Sequence, residues 1–209
     1  MIPRAVPSRA SRSVLALALA SAIVGCRPAA APSEPEVPTL VAGVSPPFVA
    51  RQKVVATHAG VRRAFDAVLQ FDGAALVLLG MTPMGTKAFA VVQRGDGVEV
   101  TSYVDMPVPA PPRAILRDIH GAYFDPPQRV EADGWHRRRT AAGDPLDERW
   151  AAGRLQERVY GRRRDARASR LRFPEGLAPG EIPREVALDH PALDLRLEIH
   201  TVELTRTEP

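Results

Sequence analysis

Few residues in this 209-residue chain belong to the types that do covalent or metal chemistry, and their spacing groups none of them. The five histidines, His58, His120, His136, His190 and His200, stand singly. None has a second histidine at the spacing a metal site uses. Asp118 and His120 are two apart, which on a helix turns them to different sides. Beyond Cys26 there are four serines, Ser33, Ser45, Ser102 and Ser169. The first two lie in a proline-rich stretch and the others in strand-like runs, away from the sharp turn that exposes a nucleophilic hydroxyl. No phosphate-binding glycine loop and no paired-histidine motif occurs. Arg94-Gly95-Asp96 spells an adhesion tripeptide, but with Gly97 behind it the stretch reads as a tight turn. The pattern predicts no catalytic residues, no metal and no cofactor, and therefore a protein that is not an enzyme.

One chemical handle remains. Cys26 is the only cysteine, and it follows a segment with the three parts of a secretory signal in order. Arg4, Arg9 and Arg12 form a positive start, and Val14 to Val24 is an apolar run of 11 residues broken only by Ser21. A spanning helix needs about 20 residues, so this run is too short to anchor the chain by itself. It ends in Ile23-Val24-Gly25-Cys26, which resembles the lipobox of bacterial lipoproteins. That resemblance implies cleavage before Cys26, a diacylglycerol on its thiol and an acyl chain such as palmitate on its amine. Several chains on one residue hold firmly, since each buried methylene contributes about 0.8 kcal/mol. Residue 27 is Arg rather than Asp, which by the sorting pattern of such lipoproteins implies the outer membrane, facing the periplasm.

Residues 26–47 then read as the lipidated cysteine and a tether, with six of the 21 prolines. Such a stretch is extended and sets the folded part away from the bilayer. Without residues 1–25 the chain keeps 25 basic residues against 24 acidic ones, which removes the main support for nucleic-acid binding. Residues 127–170 still hold 12 arginines against 7 acids, including Arg137-Arg138-Arg139 and Arg162-Arg163-Arg164. The plain reading is a solvated surface; contact with anionic lipid head groups is the functional one. Residues 48–209 suffice for one domain with a core, held by burial rather than disulfides.

The elements that would position these residues are mostly strands. Phe65–Phe71 and Ala75–Met81 flank the hairpin signal Asp72-Gly73, although 61–69 also admits a helical pattern. Lys87–Gln93 and Val98–Val104 flank the Arg94–Gly97 turn. A helix is predicted between Pro111-Pro112 and Pro126-Pro127, with Ile115, Ile119, Ala122 and Tyr123 as one apolar stripe. Strand candidates resume at Trp135–Thr140, Arg154–Tyr160, Ala168–Phe173, Glu181–Leu188 and Asp194–Thr205. The last changes face near Thr201, which predicts a bulge or a strand passing from one packing environment to another. Strands, one helix and strands again suit a single curved antiparallel sheet, mainly β, with the helix on its concave face.

The stretch Leu76-Val77-Leu78-Leu79-Gly80-Met81-Thr82-Pro83-Met84-Gly85, then Phe89 and the Gly95-Asp96-Gly97 turn, resembles an uncharacterised family of bacterial lipoproteins. So does Ile115-Leu116-Arg117-Asp118-Ile119, leading to Phe124-Asp125-Pro126, with Phe124 where that family tends to have tryptophan. Members accompany gene clusters for aryl-polyene lipids and related fatty-acid-like pathways, and their architecture is similar to LolA and LolB. The resemblance covers roughly residues 60–205. It implies an open half-barrel of one LolB-like domain, one or two helices, and a lipid-handling role without catalytic residues. A lipid-binding or lipid-passing protein then has Leu76, Leu78, Phe89, Val91, Ile115, Ile119 and Tyr123 as candidates for the apolar pocket and its lid. The rival expectation is a structural or assembly module of the cell envelope that docks a protein partner, with a solid interior and no cavity.

Overall fold

A computed structural model describes residues 37–41, 45–104, 111–128, 132–140 and 143–206. The expected signal peptide, Cys26 with its lipid, Arg27 and the start of the tether lie outside the described residues. The chain forms β1 (Phe48–His58), β2 (Val61–Phe71), β3 (Ala75–Met81), β4 (Lys87–Arg94) and β5 (Gly97–Ser102). Helix α1 (Pro112–Ile119) follows and runs on into a π-helical turn, His120–Phe124. Then come β6 (Gly134–Arg139), β7 (Pro145–Ala151), β8 (Arg154–Tyr160), β9 (Ser169–Leu177), β10 (Glu185–His190) and β11 (Leu195–Arg206). The strands make one 11-stranded sheet in the order β5-β4-β3-β2-β1-β11-β10-β9-β8-β7-β6, every pairing antiparallel. It is not closed: β5 and β6 are its two edges. This is the mainly β, one-sheet, one-helix fold that strand and turn patterning predict.

The turns form where their chemistry dictates. Gly73 has φ +99°, and the Asp72 carboxylate accepts from the Ala74 and Ala75 N–H groups at 2.9 and 2.7 Å. Gly95 and Asp96 link Arg94 to its partner Gly97, with Gly95 at φ +59°. The helical alternative for 61–69 is not adopted; those residues pair with β1 throughout. The predicted bulge is present. Gln52 faces Thr201 and Arg51 faces Glu203, so Val202 is the extra residue. It puts Leu204 opposite buried Ala50, on the face already used by Leu195 and Leu197.

Two strands lie outside the predicted set, β1 and β7. The first follows directly on Pro46-Pro47. The second, PLDERWA, buries Asp147 and Glu148, which pattern reading places outside. Predicted strand 98–104 stops at Ser102, and Val100 and Val104 remain exposed. Val37 and Leu40, in the stretch composed like a tether, join the core of the domain. Leu40 N–H donates to Gly95 O at 2.9 Å, and Gln93 Nε2 donates to Pro38 O at 2.8 Å.

The sheet must curve. Phe89 on β4 and Leu171 on β9 line the same cavity, yet six strand spacings separate their strands. On a flat sheet those six steps would span about 29 Å. Helix α1 lies in the resulting concavity, with Ala114, Ile115, Leu116 and Ile119 buried. Among the described residues no side chain caps its N-terminus, but Pro112 at the first turn lacks the N–H that would need capping.

Candidate functional site

The apolar stripe of α1 covers two different kinds of interior. Beneath its C-terminal continuation the core is solid and aromatic: Phe71 and Phe124 meet edge to face at 4.9 Å, with Phe48 about both at 6.3 and 6.1 Å. Beneath its middle lies a cavity of about 60 Å³. Gln52 and Val54 of β1, Phe65 and Ala67 of β2, Leu78 of β3 and Phe89 of β4 line one side. Leu171, Val186, Leu188, Leu197 and Ile199 line the other, and Ile115, Asp118, Ile119, Ala122 and Tyr123 form the roof.

Five of the seven sequence-derived pocket candidates meet here: Leu78, Phe89, Ile115, Ile119 and Tyr123. Leu76 and Val91 do not. They share the inward face with Leu78 and Phe89 by register, but are fully buried and line no part of the cavity. The far wall from β9, β10 and β11 had no claim from sequence, because period-two alternation gives a buried face without saying what it faces. Asp118 was open to recognition: it falls three after Ile115 and four before Ala122, inside the apolar stripe.

Shape at the site depends on two glycines. A Cβ on Gly80 would lie 2.2 Å from the Phe89 ring, so Gly80 is what lets that ring lie across β3 into the cavity wall. A Cβ on Gly121 would lie 1.9 Å from the Tyr160 hydroxyl, so Gly121 lets the helix end seat on β8. That seat is reinforced by buried charge. Arg158, 0% exposed, donates to Gly121 O and, through Nε, to Glu148 Oε1 at 2.8 Å. Arg138 donates to the same Glu148 oxygen at 2.9 Å and to Asp125 Oδ2 at 2.8 Å. Burial works to raise the Glu148 pKa, but the two guanidiniums outweigh it and hold it below the ordinary value. Two cations and two anions thus fix the C-terminal end of the helical segment to β6, β7 and β8.

The polar groups on the cavity differ in how they are satisfied. Gln52 Nε2 donates to Tyr123 Oη at 2.6 Å, and desolvation pushes that phenol up to about 12. His120, on the roof segment but not lining the cavity, donates from Nε2 to Gln93 Oε1 at 2.7 Å, and burial lowers its pKa to about 4. Asp118 is different. Burial raises its pKa to about 7 against the lowering effect of Arg117, and its Oδ1 has no hydrogen-bond partner among the described residues.

The family model described as "Protein of unknown function (DUF3261)" matches residues 49–203, most of the chain. The chain belongs to this family. That range runs from the start of β1 into the second half of β11, so the DUF3261 unit is the open sheet with its helix. No curated protein sequence matches the chain. Among solved structures, a LolA superfamily protein from Nitrosomonas europaea is similar at 9% identity and TM-score 0.43, covering 79% of this chain and 88% of that one. A putative outer membrane lipoprotein-sorting protein domain from Vibrio parahaemolyticus is similar at 10% identity and TM-score 0.42, covering 79% and 86%. A DUF1329 family protein from Desulfovibrio piger is similar at 12% identity and TM-score 0.39, covering 78% and 86%.

Proposed function

We propose that this DUF3261 chain is a non-enzymatic lipoprotein of the outer membrane, facing the periplasm, that binds or passes on a lipid or acylated molecule. The observation that carries the reading is the cavity under α1, walled almost wholly by apolar side chains from both halves of a sheet open at two edges. Removing alkyl chain from water into such a site yields roughly 25 cal/mol per Å². Cys26, with its diacylglycerol and an acyl chain such as palmitate, is the anchor. Leu78, Phe89, Ile115, Ile119 and Tyr123 serve as wall and lid. A product of a fatty-acid-like pathway, as the aryl-polyene resemblance implies, meets the chemical need.

The volume adds a requirement. About 60 Å³ is far below the roughly 300–1,000 Å³ of ligand sites, so α1 moves outward to admit an acyl chain. The ion network at Gly121 and Asp125 holds one end of the helical segment, which makes that end the pivot. The same small volume favours a second reading, in which the interior is solid core and the protein docks an envelope partner.

Native mass spectrometry of the full-length protein as purified reads co-purified lipid, and the delipidated protein is then titrated with a fluorescent fatty-acid probe. Stoichiometric uptake by the wild type and its loss in a folded Leu78→Asp variant is the expected result. An empty protein that takes up no probe overturns the lipid reading in favour of the docking module. A mature mass lacking the acyl additions at Cys26 overturns the anchor.

A further inference from the structure

The cavity lining contains three polar side chains, and two of them satisfy each other. Gln52 donates to Tyr123 at 2.6 Å and also lies 3.5 Å from Thr201 Oγ1. That leaves Asp118, only 7% exposed, whose Oδ1 has no hydrogen-bond partner among the described residues. The nearest cation, Arg117 Nη2, is 3.8 Å from this oxygen. Arg117 instead donates to His190 Nε2 at 2.8 Å and Ser169 Oγ at 3.4 Å. It is therefore engaged with β9 and β10 and does not line the cavity. An unmet buried polar atom destabilises the fold, a cost that a partner brought in by a ligand would remove.

We propose that Asp118 is the polar anchor of the cavity, holding by hydrogen bond the carbonyl of an acyl ester whose alkyl chain fills the apolar space. This rests on the lipid-binding reading above. A protonated carboxyl is a donor, and a carbonyl is an acceptor with no proton of its own, so the two complete each other. Plain hydrocarbon would leave Asp118 unmet. A free fatty-acid carboxylate would also find a donor in Asp118, but it must bring its charge out of water into an apolar cavity. An acyl ester has neither fault. Desolvation, which pushes the Asp118 carboxyl up to about 7, keeps the donor in place below that pH.

The test measures the affinity ratio of methyl palmitate to the alkane of equal chain length, by displacement of a bound fluorophore from the full-length protein. In wild type at about pH 6 the ester is favoured, and the ratio falls about tenfold in Asp118→Leu, the equivalent of one hydrogen bond of about 1.4 kcal/mol. Asp118→Asn keeps a donor that does not ionise, so it keeps the ratio at about pH 6 and about pH 9, whereas wild type loses it at the higher value. The groups facing Asp118 do not produce that loss. His190 is held toward neutrality by burial and by Arg117, and Tyr160 is kept protonated by burial. His120 on the same helical segment is neutral throughout. Should Asp118→Leu not fold, the comparison of wild type with Asp118→Asn at the two pH values decides alone. A ratio unchanged by both substitution and pH overturns the anchor while leaving lipid binding intact. Failure of wild type to bind either probe overturns lipid binding, and the anchor with it.

Discussion

At position 118 a carboxyl group sits where only a neutral side chain is comfortable. Its pKa when folded is about 7 against an ordinary 3.8, and desolvation is the cause. For an acid raised on folding, the contribution to stability is fully present below the unfolded value and is lost as pH rises through the folded one. Asp118→Asn removes that loss. The melting temperature of the variant relative to wild type should therefore rise by several degrees between about pH 4 and about pH 8. Thermal denaturation at both pH values checks this; a difference independent of pH would mean that the carboxyl is not desolvated. Position 121 is limited by shape rather than charge. Gly121→Ala drives a Cβ into the Tyr160 hydroxyl, and overpacking of this kind costs about 1–3 kcal/mol. The same hydroxyl is buried without a hydrogen-bond partner among the described residues, so adding Tyr160→Phe should recover part of the loss, the ring carbon Cζ still standing 2.8 Å from the new Cβ. Denaturant melts of the single and double variants read the coupling directly; equal losses in both would place the strain elsewhere.

At the scale of elements, β11 shows how a bulge corrects a pattern. Before Val202 the inward residues are odd-numbered, Leu195, Leu197 and Thr201; after it the same side of the strand carries even-numbered residues, with exposed Leu204 opposite Ala50. Deleting Val202 joins Thr201 to Glu203 and turns the bulged ladder into a regular one with every inward residue still inward. That deletion should leave the melting temperature within a few degrees of wild type. A variant that fails to fold would show the bulge is needed for curvature rather than for register. The edge strand β6 explains part of the arginine run. Arg137, Arg138 and Arg139 lie on a strand with one unpaired side, where charge blunts edge-to-edge association. Arg138 turns inward to Glu148 and Asp125, and Arg137 pairs Asp147 at 2.8 Å.

For the molecule as a whole, the domain extends further toward the N-terminus than composition implies. Val37 and Leu40 are buried, and the backbone between them is tied to the β4–β5 turn through Gln93 and Gly95. Leu40→Asp should destabilise the domain by about 2–5 kcal/mol, as truncating a buried leucine and burying a charge both do. Equilibrium unfolding of the full-length variant tests this; wild-type stability would mean the segment only rests on the surface. The concavity itself is a property of the whole sheet, since no pair of neighbouring strands encloses anything.

What the sequence determined by itself was local. Asp72-Gly73, Thr82-Pro83-Met84-Gly85 and Gly95-Asp96-Gly97 specify turns because their backbone preferences need no distant partner. The stripe of Ile115, Ile119, Ala122 and Tyr123 specifies a helix with one buried side because the period of the chain is intrinsic. The bulge near Thr201 was legible for the same reason. Tertiary structure decided the rest. β7 buries Asp147 and Glu148 only because arginines from other strands neutralise them, so its pattern misleads when read alone. β1 has its alternation interrupted by Gln52, which is at home inside because Tyr123 from the helix accepts its hydrogen bond. The far wall of the cavity, its volume and the desolvation of Asp118 arise from strands distant in the chain brought round one helix. Periodicity fixes which side of an element is apolar; only the closing of the sheet fixes what that side meets.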